Sequence, residues 1–359
     1  MVKALVARGA GQELSVEDIE LPAPGPGEVR VRVRAAGVCH SDLSMANGTL
    51  AAPFPLVLGH EAAGVVAEVG AGVDRVAVGD HVVLNWSPAC RQCWFCSHGE
   101  PWLCETGGTP ATRRGTASDG TPLNVTLGLG ALAEEVVVAE AAVIPLPAAA
   151  PLEESALLGC AVLTGVGAVV NTAHVRAGDT VLVIGLGGVG LSVVTAARSA
   201  GAEKVIAVDL SDAKKDLAVA AGATHFLVSD DTLTKGVRGL TDGRGVDHAF
   251  ECVGRSATIR AAWRSTRRGG QVIVVGMGAK DDMVSLSALD IFHSARTLRS
   301  SVYGNSDPDR EVPQLADAVL NGSLDLTPLV THRITLDGAP AAFERMARGE
   351  GARSLVVFD

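Results

Sequence analysis

Hydrophobic positions along the chain change their period once. Up to about residue 145, short β-branched runs such as 29–34, 64–69 and His81–Leu84 alternate with turns rich in Gly, Pro and Asp. This is the pattern of half-buried strands in an all-β barrel, and Pro145-Leu146-Pro147 and Pro151 mark its exit. From about Thr180 apolar runs alternate instead with helical stretches. Strands are predicted at 180–184, 204–208, 225–228, 246–251, 271–275 and about 297–303, which fits a six-stranded doubly wound parallel sheet. The segment from Asp307 returns to a helix and a final strand at 354–358. A six-stranded nucleotide fold is already complete, so that last strand is expected to rejoin the first region. Residues 155–173 carry no charge and approach the length of a membrane span. Gly159, Cys160, Thr164 and Gly165 suit close helix packing better than lipid, and a turn at Arg176-Ala177-Gly178-Asp179 follows. The segment therefore reads as one buried helix joining two domains. No internal repeat or low-complexity tail is present.

The run Val181-Leu182-Val183-Ile184 leads into Gly185-Leu186-Gly187-Gly188-Val189-Gly190, a G-x-G-x-x-G turn followed by an uncharged helical segment through Ala200. Glycines there permit a tight turn and close approach of a pyrophosphate to a helix N-terminus, where free N–H groups and the dipole favour anions. The next strand ends in Asp209, at the place of a ribose-binding acid. A carboxylate there accepts from ribose hydroxyls and repels a 2'-phosphate, so NAD is expected over its phosphorylated form.

Cysteine spacing supplies the second chemical signal. Cys90, Cys93, Cys96 and Cys104 form a C-x2-C-x2-C-x7-C array, which suits a closed tetrathiolate zinc site with no position for substrate. Its metal is thus expected to be structural. Cys39, in Gly37-Val38-Cys39-His40-Ser41-Asp42, His60, in Gly59-His60-Glu61, and Cys160 make a second set. Two thiolates and a neutral imidazole cancel the charge of Zn²⁺ and leave a fourth position open for catalysis. Taken singly, each of the three also fits a packed core.

Composition adds little more. The chain of 359 residues suits two domains, and a net charge of −10 argues against nucleic acid or an anionic membrane as main partner. The amino terminus is too short and too charged for a secretory signal. Seven cysteines at metal spacings read as reduced thiols, so a cytoplasmic setting is expected.

With these motifs in place, the chain resembles the zinc-dependent medium-chain alcohol dehydrogenases over essentially its whole length. The resemblance implies an α/β plus β fold: a GroES-like β-barrel catalytic domain, 1–161 and 303–359, and a Rossmann domain, 162–302. It makes Cys39, His60 and Cys160 the ligands of a catalytic zinc and the four-cysteine array the structural site, two zinc ions per chain. Asp42 orients His60, Glu61 lies near the metal, and Ser41 takes the alcohol proton. Gly185, Gly187, Gly188, Val189, Gly190 and Asp209 hold NAD. His40 and Arg353 resemble the basic pair on the cofactor pyrophosphate, and Lys214 a lysine near the adenosine ribose. A homodimer, or a homotetramer, acting on a small alcohol or aldehyde is implied.

The chain also departs from the liver-type pattern. A histidine that ends the proton relay there would fall at Ser44, so the proton is expected to leave through His40 or water. The loop from Cys104 to Cys160 is several residues shorter. Alignment of the pocket names Leu50, Trp86, Leu103, Leu127, Met277 and Val302, an apolar set for an aliphatic or aromatic alcohol. The runs around Cys39, Leu84-Asn85-Trp86 and 300–304 are also similar to the actinobacterial branch with mycothiol-dependent formaldehyde dehydrogenase. That substrate calls for polar anchors, for which only Arg91, Arg113 and Arg114 present themselves. The arginine that binds glutathione in a related family aligns with Gly108. A zinc-free quinone reductase of the same superfamily would lack Cys39, Cys160 and the array.

Overall fold

The computed structural model describes residues 1–107 and 112–359, with the side chains of all these except Thr112 and Arg113. The chain divides into two compact units, Met1–Leu163 with Asp307–Asp359, and Thr164–Ser306. The expected boundaries fall two residues before the first of these breaks and four before the second.

In the first unit, strands Val2–Ala7, Leu14–Glu20, Thr112–Ala117, Pro122–Val125 and Leu56–Val57 close a barrel. A second sheet runs through Val143–Pro145, His81–Leu84, Ala62–Val69, Glu28–Gly37, Arg353–Val357 and Val330–Ile334, with Glu135–Ala139 also paired to Glu28–Gly37. Glu28–Gly37 alternates outward and inward positions over most of its length as the period-two pattern requires, whereas residues 4–7, 82–84 and 136–138 are buried without a break. Leu5, Val31, Leu58, Leu84 and Leu132 are fully buried in the core. The C-terminal strand does rejoin this unit, since Leu355 pairs with Gly37 and Val357 with Ala35.

The second unit is a parallel sheet in the order His225–Val228, Lys204–Asp209, Thr180–Ile184, Val246–Glu251, Thr266–Val274 and Thr297–Ser300. Counted within the sheet this is 3-2-1-4-5-6, so the order reverses between the first and fourth strands, the place at whose carboxyl ends sheets of this kind bind ligands. Leu182, Ile206, Ala249, Trp263 and Val272 form its core. The fifth strand begins at Thr266, earlier than its apolar run at 271–275. Its first residues pair out of register with Val246 across a bulge, and so lack the clean alternation that marks a strand in sequence.

The segment 155–173 differs from the single helix expected of it. It is broken at Cys160, between Leu152–Gly159 and Ala161–Ala173, with a bend of 57°. Cys160 itself leaves helical geometry at φ −146° and ψ −76°. No single helix among the described residues is long and apolar enough to cross a membrane. Gly159 sits where an added Cβ would lie 2.6 Å from the carbonyl oxygen of Leu84, so the chain turns tightly against the strand His81–Leu84 and aims Cys160 out of the helix line.

Candidate active site

Three neighbouring strands bring the first cluster together. Gly37 pairs with Leu355 and Ala36 with Ala62, and carrying both registers onward sets Arg353 opposite Cys39 and His60 opposite Val38. Cys39 leaves the middle strand to start the helix His40–Ala46. His60 and Glu61 lead into Ala62–Val69, and Arg353 opens the last strand. The short helix Ala156–Gly159 packs on two of these strands, Glu28–Gly37 and Ala62–Val69, and delivers Cys160. One ligand atom from each of Cys39, His60 and Cys160 lies within 4.8 Å of the others, and all three residues are buried.

Their surroundings suit a cation. His60 Nδ1 stands 3.1 Å from Asp42 Oδ2, which leaves the other ring nitrogen for a metal, as metal-bound histidines usually require. Asp42 is itself fixed, because its Oδ1 accepts from the Gly59 N–H at 2.8 Å. Gly59 is needed there: φ is +102°, and a Cβ would sit 2.2 Å from the Leu132 nitrogen. Cys39 ionises first of the two thiols. The hydrogen bond from Cys160 holds its pKa well below the usual value against the effect of burial, with help from the charges of Arg353 and His60. The same pairing, together with burial, pushes Cys160 well up. Burial works against the His60 cation, but Asp42 and Cys39 outweigh it.

Glu61 and Arg353 complete the surround. Arg353 is 4% exposed; its guanidinium donates to Val38 O at 2.9 Å, Glu61 Oε2 at 3.2 Å and Cys39 Sγ at 3.5 Å. Burial pushes the Glu61 carboxyl up to about 7 while Arg353 pulls against it. Sequence reasoning named both residues and missed this contact, in which Arg353 faces the Cys39 sulfur. Gly37 leaves room for the Glu61 carboxylate, since a Cβ there would lie 2.4 Å from Glu61 Oε1. His40 is exposed and Ser41 half-buried on the first turn of the helix after Cys39.

The four-cysteine loop forms a second cluster, with Cys90, Cys93, Cys96 and Cys104 sulfurs within 4.8 Å of one another. The Cys93 and Cys104 sulfurs are 3.9 Å apart, close to the edge of about 3.8 Å for a tetrahedron with metal–sulfur bonds of about 2.3 Å. Backbone N–H groups of Cys90 and Cys93 donate to Cys104 Sγ at 3.2 Å and Cys90 Sγ at 3.3 Å. Burial opposes ionisation of Cys104, yet the Cys90 N–H and Thr106 bring it down to about 6. Donor set and geometry fit a metal held by thiolates.

In the other unit the glycine turn has the shape its sequence implies. Gly185 has φ +93°, and a Cβ on Gly190 would lie 1.8 Å from Gly185 O. Gly187, by contrast, is exposed and a Cβ there would meet nothing of the chain within 4 Å. Space is therefore kept at the N-terminus of the helix Gly188–Ser199, a cradle for an anion such as a pyrophosphate; Val189 is half-buried in its first turn. Asp209 is already engaged: Oδ2 accepts from the Leu186 N–H at 2.8 Å and lies 3.6 Å from Lys214 Nζ, and Oδ1 accepts from the Leu210 N–H at 2.8 Å. Among the pocket residues, Leu50, Trp86 and Leu127 are half-buried and Leu103 is exposed in the first unit, while Met277 and Val302 are exposed in the second. Gly108 and the side chain of Arg113 lie outside the described residues.

Comparison with known proteins agrees with this chemistry. Residues 25–148 match the alcohol dehydrogenase GroES-like domain and residues 188–321 the zinc-binding dehydrogenase domain. The S-(hydroxymethyl)glutathione dehydrogenase of Paracoccus denitrificans is 36% identical over 373 residues, covering 99% of each chain. A solved alcohol dehydrogenase zinc-binding domain protein from Burkholderia ambifaria superposes with a TM-score of 0.92 at 34% identity, over 100% of this chain and 99% of that one. Benzyl alcohol dehydrogenase from Acinetobacter calcoaceticus superposes with a TM-score of 0.91 at 27% identity, with the same coverage. Fold and donor sets together define a zinc-containing oxidoreductase. The chain belongs to the zinc-dependent medium-chain alcohol dehydrogenase family.

Proposed function

We propose that the protein oxidises apolar aliphatic or aromatic alcohols with NAD and reduces the matching aldehydes, holding two zinc ions per chain. The observation that carries this reading is the buried Cys39, His60 and Cys160 set, three donors that leave one coordination position for a substrate oxygen. Zinc bound there supplies Lewis-acid stabilisation of the alcohol oxygen, and bound NAD supplies the hydride acceptor. The residues of the chain do the rest. Asp42 fixes the His60 ring, Arg353 and Glu61 balance charge behind Cys39, and Ser41 takes the hydroxyl proton. His40, exposed at the start of its helix, passes that proton to solvent in place of a histidine at Ser44.

The name of the Paracoccus relative favours a second reading, oxidation of a thiol adduct of formaldehyde. Two of the three polar anchors named for such a substrate are engaged in ion pairs: Arg91 is paired with Asp307 and Asp309, and Arg114 with Glu28. Steady-state rates with benzyl and linear primary alcohols and NAD, and with formaldehyde plus mycothiol or glutathione, separate the two. Turnover of the free alcohols without thiol is expected. Turnover of the thiol adducts alone would replace the first reading by the second.

Asp209 yields a separate expectation. NAD should be preferred by more than about tenfold, because the carboxylate repels a 2'-phosphate. The Leu186 contact adds a cost that the sequence did not foretell. Asp209→Gly with Leu210→Arg, the latter at a site 81% exposed, should erode the preference and weaken binding of both cofactors. Asp209→Asn keeps an acceptor for the Leu186 N–H and should change the ratio more than the shared affinity. Fluorescence titration with NADH and NADPH reads both; unchanged selectivity in both variants would exclude Asp209 as its source.

A further inference from the structure

The tetrathiolate loop reaches beyond its own cysteines. Arg91, between the ligands Cys90 and Cys93, is held at φ +63°. Its guanidinium donates to Asp307 Oδ2 at 2.8 Å and Oδ1 at 2.6 Å, and to Asp309 Oδ2 at 2.5 Å. Asp309 is gripped from another side by Arg75, on the loop between Ala62–Val69 and His81–Leu84. Asp307 is the N-cap of the helix Pro308–Leu320, and its own N–H donates to Glu311 Oε1 at 3.0 Å. That helix packs against the short helix Ala156–Gly159, whose next residue is Cys160. A continuous series of contacts thus runs from one metal cluster to a ligand of the other.

An isolated surface ion pair would carry little energy. Here a bidentate arginine, a second arginine and two carboxylates share one site, a geometry in which charge-assisted hydrogen bonds are strong and directional. Burial works against the Asp309 carboxylate, yet Arg75 and Arg91 hold its pKa below the usual value.

We propose that Arg91 is a positioning residue that couples the two metal sites. Closure of the tetrathiolate loop sets Arg91, Arg91 sets the start of the helix Pro308–Leu320, and that helix steadies the turn presenting Cys160. The idea rests on Cys39, His60 and Cys160 holding the catalytic zinc. It demands that the arrangement at Cys160 differ between a clamped and an unclamped helix, which is the condition for any coupling between sites.

The test uses holoenzyme with zinc in the loop and Co²⁺ at the catalytic site, where the sulfur-to-cobalt charge-transfer band reports on Cys39 and Cys160 directly. Loss of that band in excess EDTA is followed for wild type, Arg91→Met, Arg91→Lys, Asp307→Asn and a control, Arg348→Met, whose arginine pairs with Glu350 at the surface. Arg91→Met should keep its loop zinc yet lose cobalt about tenfold faster, within the ordinary range of coupling between sites. Arg91→Lys should fall between, and the control should match wild type. Equal rates in Arg91→Met and wild type, or an equal acceleration in the control, would overturn the coupling. Should Arg91→Met fail to fold, Asp307→Asn gives the same reading with the loop sequence intact, and an unchanged rate there overturns it too. Failure of wild type to show the band at all would sink the catalytic-zinc assignment instead, a distinct result.

Discussion

Cys39→Ala and Cys160→Ala should each yield a folded protein that binds NADH, holds one zinc instead of two, and oxidises alcohol at least about a thousandfold more slowly. The size follows from the several kcal/mol that a Lewis acid contributes to stabilising charge in the transition state. Folding should survive because each change removes only a small buried group, a modest cavity term beside the core around it. The two variants should differ in one respect. Cys39 Sγ accepts from Arg353 at 3.5 Å, so its loss leaves that buried guanidinium to Val38 O and Glu61 alone, whereas Cys160→Ala leaves those contacts whole. Cys39→Ala should therefore be the less stable of the pair. Metal analysis, NADH titration and single-turnover hydride transfer check the three parts, and two zinc ions or full activity in either variant would remove the assignment.

The parts of this site legible in the sequence are those whose spacing is local. The four-cysteine array and the glycine turn each lie within one loop, so the chain cannot separate their members, and the structure finds both gathered. The parallel sheet was legible because strand and helix periods alternate plainly from Thr180 onward. What escaped reading depends on register between distant strands. Arg353 meets Cys39 only because Gly37 pairs with Leu355, and nothing near either residue announces it. The break at Cys160 escaped for a different reason: the residues on both sides are uncharged and apolar, so no change of period marks it. At the break Gly159 comes close to the Leu84 carbonyl, where a Cβ would not fit, and that contact joins segments far apart in sequence. Arg91 is by sequence a candidate substrate anchor, yet its charge is matched by Asp307 and Asp309, both more than two hundred residues further along the chain.

The same distinction between local and distant contacts governs the effect of Cys96→Ala. The loop around the array is short in regular structure, with one helical turn, Trp94–Ser97, and a turn of 3-10 helix, Pro101–Leu103. Trp94 is 58% exposed, so little apolar burial is available to hold the loop once a ligand is gone. Structural zinc contributes on the order of 10 kcal/mol in small peptides that fold only with metal. Part of that must be realised here, since the sulfurs accept N–H groups that otherwise face a loop without a centre. A loss of several kcal/mol against a total of about 5–15 lowers the melting temperature by roughly 10 °C or more. The variant should also shed the Arg91 clamp and so release the second metal more readily than the loss of one cysteine outside that site would suggest. Melting followed by circular dichroism, with zinc counted before and after gel filtration, tests both. Wild-type stability with two zinc ions retained would mean that Cys96 closes no metal site, and the clamp would then need another source of order.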